Sequence, residues 1–308
     1  MFGTNWERRL ASLDLGPITV HPLIDAVPGP VPVTWSYPDV AEGEWPAVGL
    51  AGLDPQGRFQ PSLGAFLVET DGALILCDAG IGPGPNAYLD GLEGRLPALI
   101  AEAGFTVDDV TAVVFTHLHM DHIGWASEDG AARFPHATYF APTTDVAYFA
   151  GGARGMGPHH VEAFEASLRP LLSDCRVTLI EDGGTMLPGL SYRATPGHTP
   201  GHQSILIEAG GETLAVCGDV FHAPAQVERP QWSHRADHDP ARARNTRRAF
   251  MDAAVAGGFT LAAGHFRDGL QFGRIVTGPD GATRWQPLGA DQPDEMPAPR
   301  AKNLTTGG

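Results

Sequence analysis

Apolar runs divide the chain into two strand series, each accompanied by helical segments. Ile18 to Ile24 reads as a strand, and Ala65-Phe66-Leu67-Val68-Glu69 and Ala73-Leu74-Ile75-Leu76-Cys77 flank Thr70-Asp71-Gly72. An Asp-Gly pair between two such runs predicts a hairpin. Leu92 to Ala103 is amphipathic and stops at Gly104, as a helix would, and Ala112-Val113-Val114-Phe115 is the uninterrupted apolar run of a buried strand. Further strands are expected at Ala137 to Phe140 and Val177 to Ile180, with a helix over Val161 to Leu172. The second series is Ser191 to Thr195, Ser204 to Glu208 and Thr213 to Cys217, the last two turned by Gly210-Gly211. Asp239-Pro240 is an N-cap followed by a first-turn proline; the helix it opens carries Phe250, Met251, Ala254 and Val255 until Gly257-Gly258 stops it. Its arginines, Arg242, Arg244, Arg247 and Arg248, read as a solvated face. Leu261-Ala262-Ala263 is the last buried strand expected before Gly264-His265. Two sheets packed together with helices outside satisfy both series, which predicts an α/β fold, a four-layer αββα sandwich.

Residues 27 to 62 interrupt this order with no sustained period. A stretch that long is functional or disordered, and its Trp35, Tyr37, Trp45 and Phe59 argue for packing. It reads as a lid, a pocket wall, a dimer contact or an ordered surface excursion. Residues 1 to 290 are expected to form one domain, and the polar, Pro-rich residues 291 to 308 a mobile tail.

The formal charge of -16, with Lys302 as the one lysine, argues against nucleic acid as a partner. Charges near the N-terminus and the lack of a long apolar window favour a cytoplasmic chain that does not enter a membrane. Cys77, Cys175 and Cys217 lie far apart in no CxxC spacing, so each is expected to be a small buried hydrophobe.

The chemistry concentrates in Thr116-His117-Leu118-His119-Met120-Asp121-His122, directly after the strand ending at Phe115. His117 and His119 share one side of an extended segment, while Asp121 and His122 reach a second point if the chain turns. That arrangement suits two cations. His198, Asp219 and His265 share a local pattern: each follows an expected strand and stands beside glycine, which lets backbone approach a ligand closely.

This set resembles the metallo-β-lactamase superfamily over roughly residues 15 to 285. The resemblance implies that His117, His119 and His198 hold one metal and Asp121, His122 and His265 a second, with Asp219 bridging. Asp78 in Cys77-Asp78-Ala79-Gly80 matches the family position that supports the site from behind, and His202 is expected to orient the loop of His198. Lactamase branches commonly carry Cys or Ser where Asp219 stands, so the chain resembles the lactonase and methyl parathion hydrolase-like branch more than an antibiotic hydrolase. His222 occupies the place where acyl homoserine lactonases usually have Tyr.

Imidazole and carboxylate donors without thiolate suit two Zn²⁺, and Mn, Fe or Co fit the same ligands. The implied reaction is attack of a metal-bridging hydroxide on a lactone or other small ester, a phosphotriester being a further substrate type, with Asp121 shuttling the proton and His222 contacting the carbonyl oxygen. Trp125, Phe221 and Trp232 are the expected substrate-pocket residues. Tyr148, Met156, His159 and His160 lie in a Gly-rich stretch that either reaches over the site or, the preferred reading, forms a surface loop. A glyoxalase II-like thioester hydrolase and a mononuclear iron persulfide dioxygenase are the alternatives. The small-molecule ester or lactone is the expected partner, and the resemblance also implies a homodimer.

Overall fold

Alternate side chains of the central strands enter different layers, and this fixes the architecture. A computed structural model describes residues 12–41, 44–45, 53, 56–70, 72–267 and 269–288. The expected tail, residues 291 to 308, and Asp71 of the first hairpin lie outside the described residues.

The first sheet contains β1 (Leu13–Leu15), β2 (Ile18–Ala26), β3 (Leu63–Thr70), β4 (Ala73–Cys77) and β5 (Ala112–Val114). A separate small hairpin, β6 (Ser127–Glu128) and β7 (Ala131–Ala132), precedes β8 (Thr138–Pro142) and β9 (Val177–Ile180), which complete the first sheet in the order β1-β2-β3-β4-β5-β8-β9. The second sheet runs in sequence order through β10 (Thr185–Leu187), β11 (Leu190–Ala194), β12 (Gln203–Ala209), β13 (Glu212–Val216), β14 (Thr260–Ala262), β15 (Phe272–Thr277) and β16 (Thr283–Pro287). The buried strand expected before Gly264-His265 is β14, and strands β15 and β16 follow His265.

In β4, Ile75 and Cys77 enter the cluster between the sheets, while Leu74 and Leu76 enter the outer core beneath the helices. The same alternation puts Leu214 and Val216 of β13 between the sheets, and Ala215 and Cys217 into a third core with Phe250, Met251 and Ala254. Two sheets with helices on both outer faces result. Tyr192 on β11 ties the sheets together, its hydroxyl donating to the Phe115 carbonyl at 2.7 Å.

The helices are α1 (Val33–Ser36), α2 (Leu96–Glu102), α3 (Met120–Ile123), α4 (Thr143–Ala150), α5 (Pro158–Ala163), α6 (Arg169–Ser173), α7 (Ala225–Glu228) and α8 (Pro240–Gly257). Helix α2 starts later than the pattern from Leu92 suggests. Asp25 sets its start: one carboxylate oxygen accepts the N–H of Arg95 and of Leu96, each at 2.6 Å. The stretch expected as one helix from Val161 to Leu172 is broken into α5, a π-helical segment Phe164–Leu168 and α6. Pro170 has no N–H to continue the ladder. The carbonyls of Ala166 and Ser167 accept from the Ser127 hydroxyl instead.

Two expectations about burial change. Arg247 is not on a solvated face: it is 1% exposed, because Ala243, Arg247, Phe250 and Ala254 line one stripe of α8. Cys175 is exposed, just beyond α6 at a φ of 55°, whereas Cys77 and Cys217 are buried.

The buried phenols yield a prediction. Burial pushes Tyr139 up to about 12 and Tyr37 and Tyr192 well above the usual tyrosine range. A proton held more tightly in the folded state stabilises it fully below the unfolded pKa, about 10 for tyrosine. That stabilisation is lost as pH rises through the folded values. With Lys302 as the one lysine, few other groups titrate there. Urea unfolding should show stability falling between about pH 10 and 12. Tyr139→Phe, which removes the hydroxyl bond to the Ala126 carbonyl, should cost about 1 kcal/mol at neutral pH and flatten part of that fall; an unchanged alkaline slope would count against it.

Candidate metal centre

Strand ends bring the seven expected donors to one place. His117 and His119 follow β5, and His119 caps the single turn of α3. That turn swings Asp121 and His122 round, closed by a bond from the His122 N–H to the His119 carbonyl at 3.0 Å. His198 follows β11, Asp219 follows β13 and His265 follows β14. Gly218 is required beside Asp219: its φ is +55°, and a Cβ there would lie 2.6 Å from His202 Nε2.

An imidazole can direct a lone pair inward only if its other nitrogen is tied outward. His265 Nδ1 donates to the Ser62 carbonyl at 2.7 Å, and His122 Nδ1 lies 2.8 Å from Asp78 Oδ2. The same Asp78 carboxylate accepts from the Thr116 N–H and hydroxyl, and that hydroxyl is 3.0 Å from His117 Nδ1. His198 Nδ1 is 3.1 Å from Asp237 Oδ1, and Arg247 stands 3.7 Å from the other Asp237 oxygen. In each of these four rings Nε2 is left facing the centre. His119 is reversed: its Nε2 lies 3.3 Å from Met156 Sδ and its Nδ1 2.9 Å from His198 Nε2.

Asp219 stands in the middle. Its Oδ2 is 3.0 Å from His198 Nε2 and 3.1 Å from Nε2 of both His265 and His222, and its Oδ1 is 3.2 Å from His122 Nε2. Yet His117 Nε2, His122 Nε2, Asp219 Oδ1 and both ring nitrogens of His222 are buried without a hydrogen-bond partner. Orphaned buried polar atoms are costly. A cation among them relieves that cost, so the donor set fits the metal chemistry expected of it. Among the described residues, four groups have donor atoms within 4.8 Å of one another: His117, His119, His198 and Asp219; Asp121, His122 and His265; and two that overlap these through His222, namely His198, His222 and Asp237, and Asp219, His222 and His265.

The electrostatics follow from burial and charge together. Burial, reinforced by neighbouring imidazoles, holds His117 and His119 well below the ordinary histidine range. Burial opposes protonation of His198 as well, but Asp219 and Asp237 outweigh it and raise its pKa to about 9. Asp219 is itself lowered: burial pushes it up, and His265, His122, His198 and His117 more than compensate. Asp121 is the donor that reaches solvent, its side chain 16% exposed against 4% for His122 and 6% for His265.

The supporting residues divide. Asp78 is placed behind His122, as the motif implies. His202 is 2.8 Å from Thr195 Oγ1 and accepts the Asp219 N–H at 2.9 Å. It therefore pins Asp219, whereas the partner of the His198 ring is Asp237, which carries no motif. His222 is buried and stacked between His234 (3.8 Å, 17°) and His265 (5.1 Å, 8°).

Of the expected pocket residues, Trp125 lies in the helix-covered core of the first sheet, its indole N–H 3.3 Å from Asp25. Phe221 packs in the α8 core against Phe250. Neither belongs to the donor cluster, because each continues a core stripe from its own sheet. Trp232 stacks on Trp45 at 5.2 Å, in a cluster with Tyr37, Val40 and Phe59. Of the two readings of the stretch carrying Met156 and His160, the surface loop gives way to the one that reaches the site: His160 stacks on His119 at 3.9 Å, beside Met156. The available sequence signal was the density of His and Met in residues 156–160.

The fold agrees with comparisons to known proteins. Similarity to an N-acyl homoserine lactonase AiiA of Bacillus thuringiensis subsp. kurstaki is 28% identity over 158 residues, 46% of this chain and 57% of that protein. The chain thus spans little more than half the length of those Bacillus relatives. Similarity to N-acyl homoserine lactonase AiiB of Agrobacterium fabrum is 26% over 234 residues, 70% of this chain and 83% of that one. Among solved structures, hydrolase AbOPH of the beta lactamase superfamily superposes with a TM-score of 0.76 at 24% identity, covering 90% of this chain and 96% of AbOPH. AidC, a dizinc quorum-quenching lactonase, gives 0.75 at 21% identity, over 90% of this chain and 97% of AidC. With residues 65–265 matching the family model for the metallo-beta-lactamase superfamily, a span running from β3 to the last donor, His265, the chain belongs to that superfamily.

Proposed function

We propose that the protein is a dinuclear metal hydrolase that opens lactones or other small esters. The observation that carries this reading is the two donor groups meeting at Asp219, with inward-facing atoms that lack any protein partner. A single mononuclear iron site would leave Asp121, His122 and His265 without purpose. The lactonases among the relatives and structural neighbours support the substrate class.

Two divalent cations, Zn²⁺ by the all-nitrogen-and-oxygen donor set, supply when bound a hydroxide at neutral pH and a Lewis acid for the carbonyl. The protein's side chains do the rest. Asp121, partly open to solvent, takes the proton of the attacking water and returns it to the alkoxide released when the ester C–O bond breaks. His222 lies beside Asp219 with its ring held between two near-parallel imidazoles, and in this reading its N–H is the donor to the developing oxyanion. Asp237, braced by Arg247, holds the His198 ring in the orientation that turns Nε2 inward.

Elemental analysis of protein loaded with zinc should give about two ions per chain, and a substrate panel should show lactone or aryl ester hydrolysis above thioester and phosphotriester turnover. One iron per chain with oxygen uptake on a persulfide would overturn the reading. His119→Ala and Asp219→Ala should each lower kcat/KM by at least about 100-fold, the scale lost with one preorganised stabilising group, with the circular dichroism spectrum retained; full activity in either would reject the centre. Asp237→Ala should weaken metal binding by roughly 10- to 100-fold in competition with a chromophoric chelator, and a wild-type affinity would remove Asp237 from the site.

A further inference from the structure

We propose that Asp145 is a positioning residue, a buried clamp that ties the loop of His117 and His119 to the loop of His198 and so sets the spacing of the donor group they share. The proposal rests on the metal-binding reading above. Asp145 lies in the first turn of α4, on neither ligand loop, and is fully buried. Its Oδ2 accepts the Leu118 N–H at 3.2 Å and the Thr199 hydroxyl at 2.7 Å, and its Oδ1 accepts the Gly201 N–H at 2.7 Å. Leu118 stands between His117 and His119, and Thr199 directly follows His198. One carboxylate therefore spans a loop of the first sheet and a loop of the second.

An acid in a first helical turn commonly serves its own helix by accepting amide N–H bonds or opposing the dipole. Here the three donors recorded for the Asp145 oxygens all belong to the ligand loops. The approach is close enough to dictate sequence: a Cβ on Gly201 would lie 2.4 Å from the Asp145 nitrogen and 2.9 Å from its Oδ1. Burial pushes the carboxyl up to about 6, against the pull of Thr199, Gly201 and Leu118. It thus remains largely ionised at neutral pH, the form that accepts all three bonds.

On the loops that Asp145 joins, His119 Nδ1 and His198 Nε2 lie 2.9 Å apart, within hydrogen-bond distance. Two nitrogens bound tetrahedrally at about 2.05 Å to one ion sit about 3.3 Å apart, so the joined loops already bring the rings near the spacing an ion would impose. Backbone bonds from Gln203 N–H to the Thr116 carbonyl and from His238 N–H to the His198 carbonyl support the same loops but touch no side chain of the donor group.

The test is metal binding by Asp145→Asn and Thr199→Val, which remove respectively one acceptor oxygen and one arm of the clamp while conserving volume. Cobalt(II) is the probe, read by competition titration and by its visible d–d spectrum, alongside the melting temperature of the metal-free proteins. Asp145→Asn is expected to weaken cobalt binding by roughly 10- to 100-fold and to shift the spectrum. Thr199→Val should move both in the same direction by less, and Asp145→Glu, which restores the charge on a longer arm, should recover part of the affinity. Wild-type affinity and spectrum in both Asp145→Asn and Thr199→Val would overturn the clamp, as would affinity losses wholly accounted for by a lower melting temperature. A wild-type protein that binds cobalt tightly yet opens no lactone would reject the proposed activity without touching these ratios; one that binds no cobalt would overturn both.

Discussion

The structure is organised around one electrostatic constraint: several buried imidazole nitrogens converge on the carboxylate of Asp219 and on one another. Crowding polar atoms in a low-dielectric interior is unfavourable wherever they lack partners, because each then bears its desolvation cost. Asp219 relieves it only in part, since its Oδ1 and the Nε2 atoms of His117 and His122 still lack hydrogen bonds. A cation is the missing charge. Binding one is therefore coupled to the stability of the strand ends that carry the donors, because the folded chain takes up the ion far better than an unfolded chain would.

The strain of such a centre is borne by a ring of oxygen atoms behind the imidazoles. Asp78, Ser62 and Thr116 come from the first sheet or the residues just beyond its strands, Asp237 from the segment before α8 and Asp145 from α4. Crossing from one half of the fold to the other is frequent: Ser62 holds His265, and Asp145 holds both a first-sheet and a second-sheet loop. The two sheets are thus joined by their inter-sheet core and also by the outer shell of the site. Rigid loops of this kind can hold donors in place before an ion arrives, which is what discrimination between metals of similar affinity requires.

Much of this was legible in the chain. Continuous apolar runs at β4, β5 and β13 were strong enough to assign both sheets, and the seven donors stood at or just beyond the strand ends where such runs stop. Less legible were the places where long-range bonds override local pattern. Helix α2 begins where Asp25 supplies acceptors from a distant strand, and Pro170 with Ser127 splits an otherwise amphipathic stretch. Arg247 was misread because arginine composition says nothing of a helix's orientation; one of four arginines faces inward and donates to the carbonyls of Val220, Pro230 and Trp232. Asp237 and Asp145 carry no motif at all. The one local signal of Asp145 is an acid set among small and apolar neighbours, a pattern shared with many ordinary helix starts, and Asp237 stands in a polar run of His, Arg and Asp that singles out none of its members.

The excursion through residues 27 to 62 gains its meaning from the same reasoning. Among its described residues, Tyr37, Trp45 and Phe59 form an aromatic cluster with Trp232, and the Tyr37 ring meets His234 edge-on at 5.4 Å. Arg235 adds a backbone bond to the Ser36 carbonyl and lays its guanidinium 3.8 Å over exposed Trp35. The excursion thus braces the segment 232–237, and that segment in turn supplies His234 to the His222 stack and Asp237 to the His198 ring. Displacing it would disturb the centre through two imidazoles at once, without removing a single donor. Of the roles its composition allowed, a wall that fixes the segment beside the metal site accounts for these contacts, whereas a freely opening lid would have to break an aromatic cluster to move.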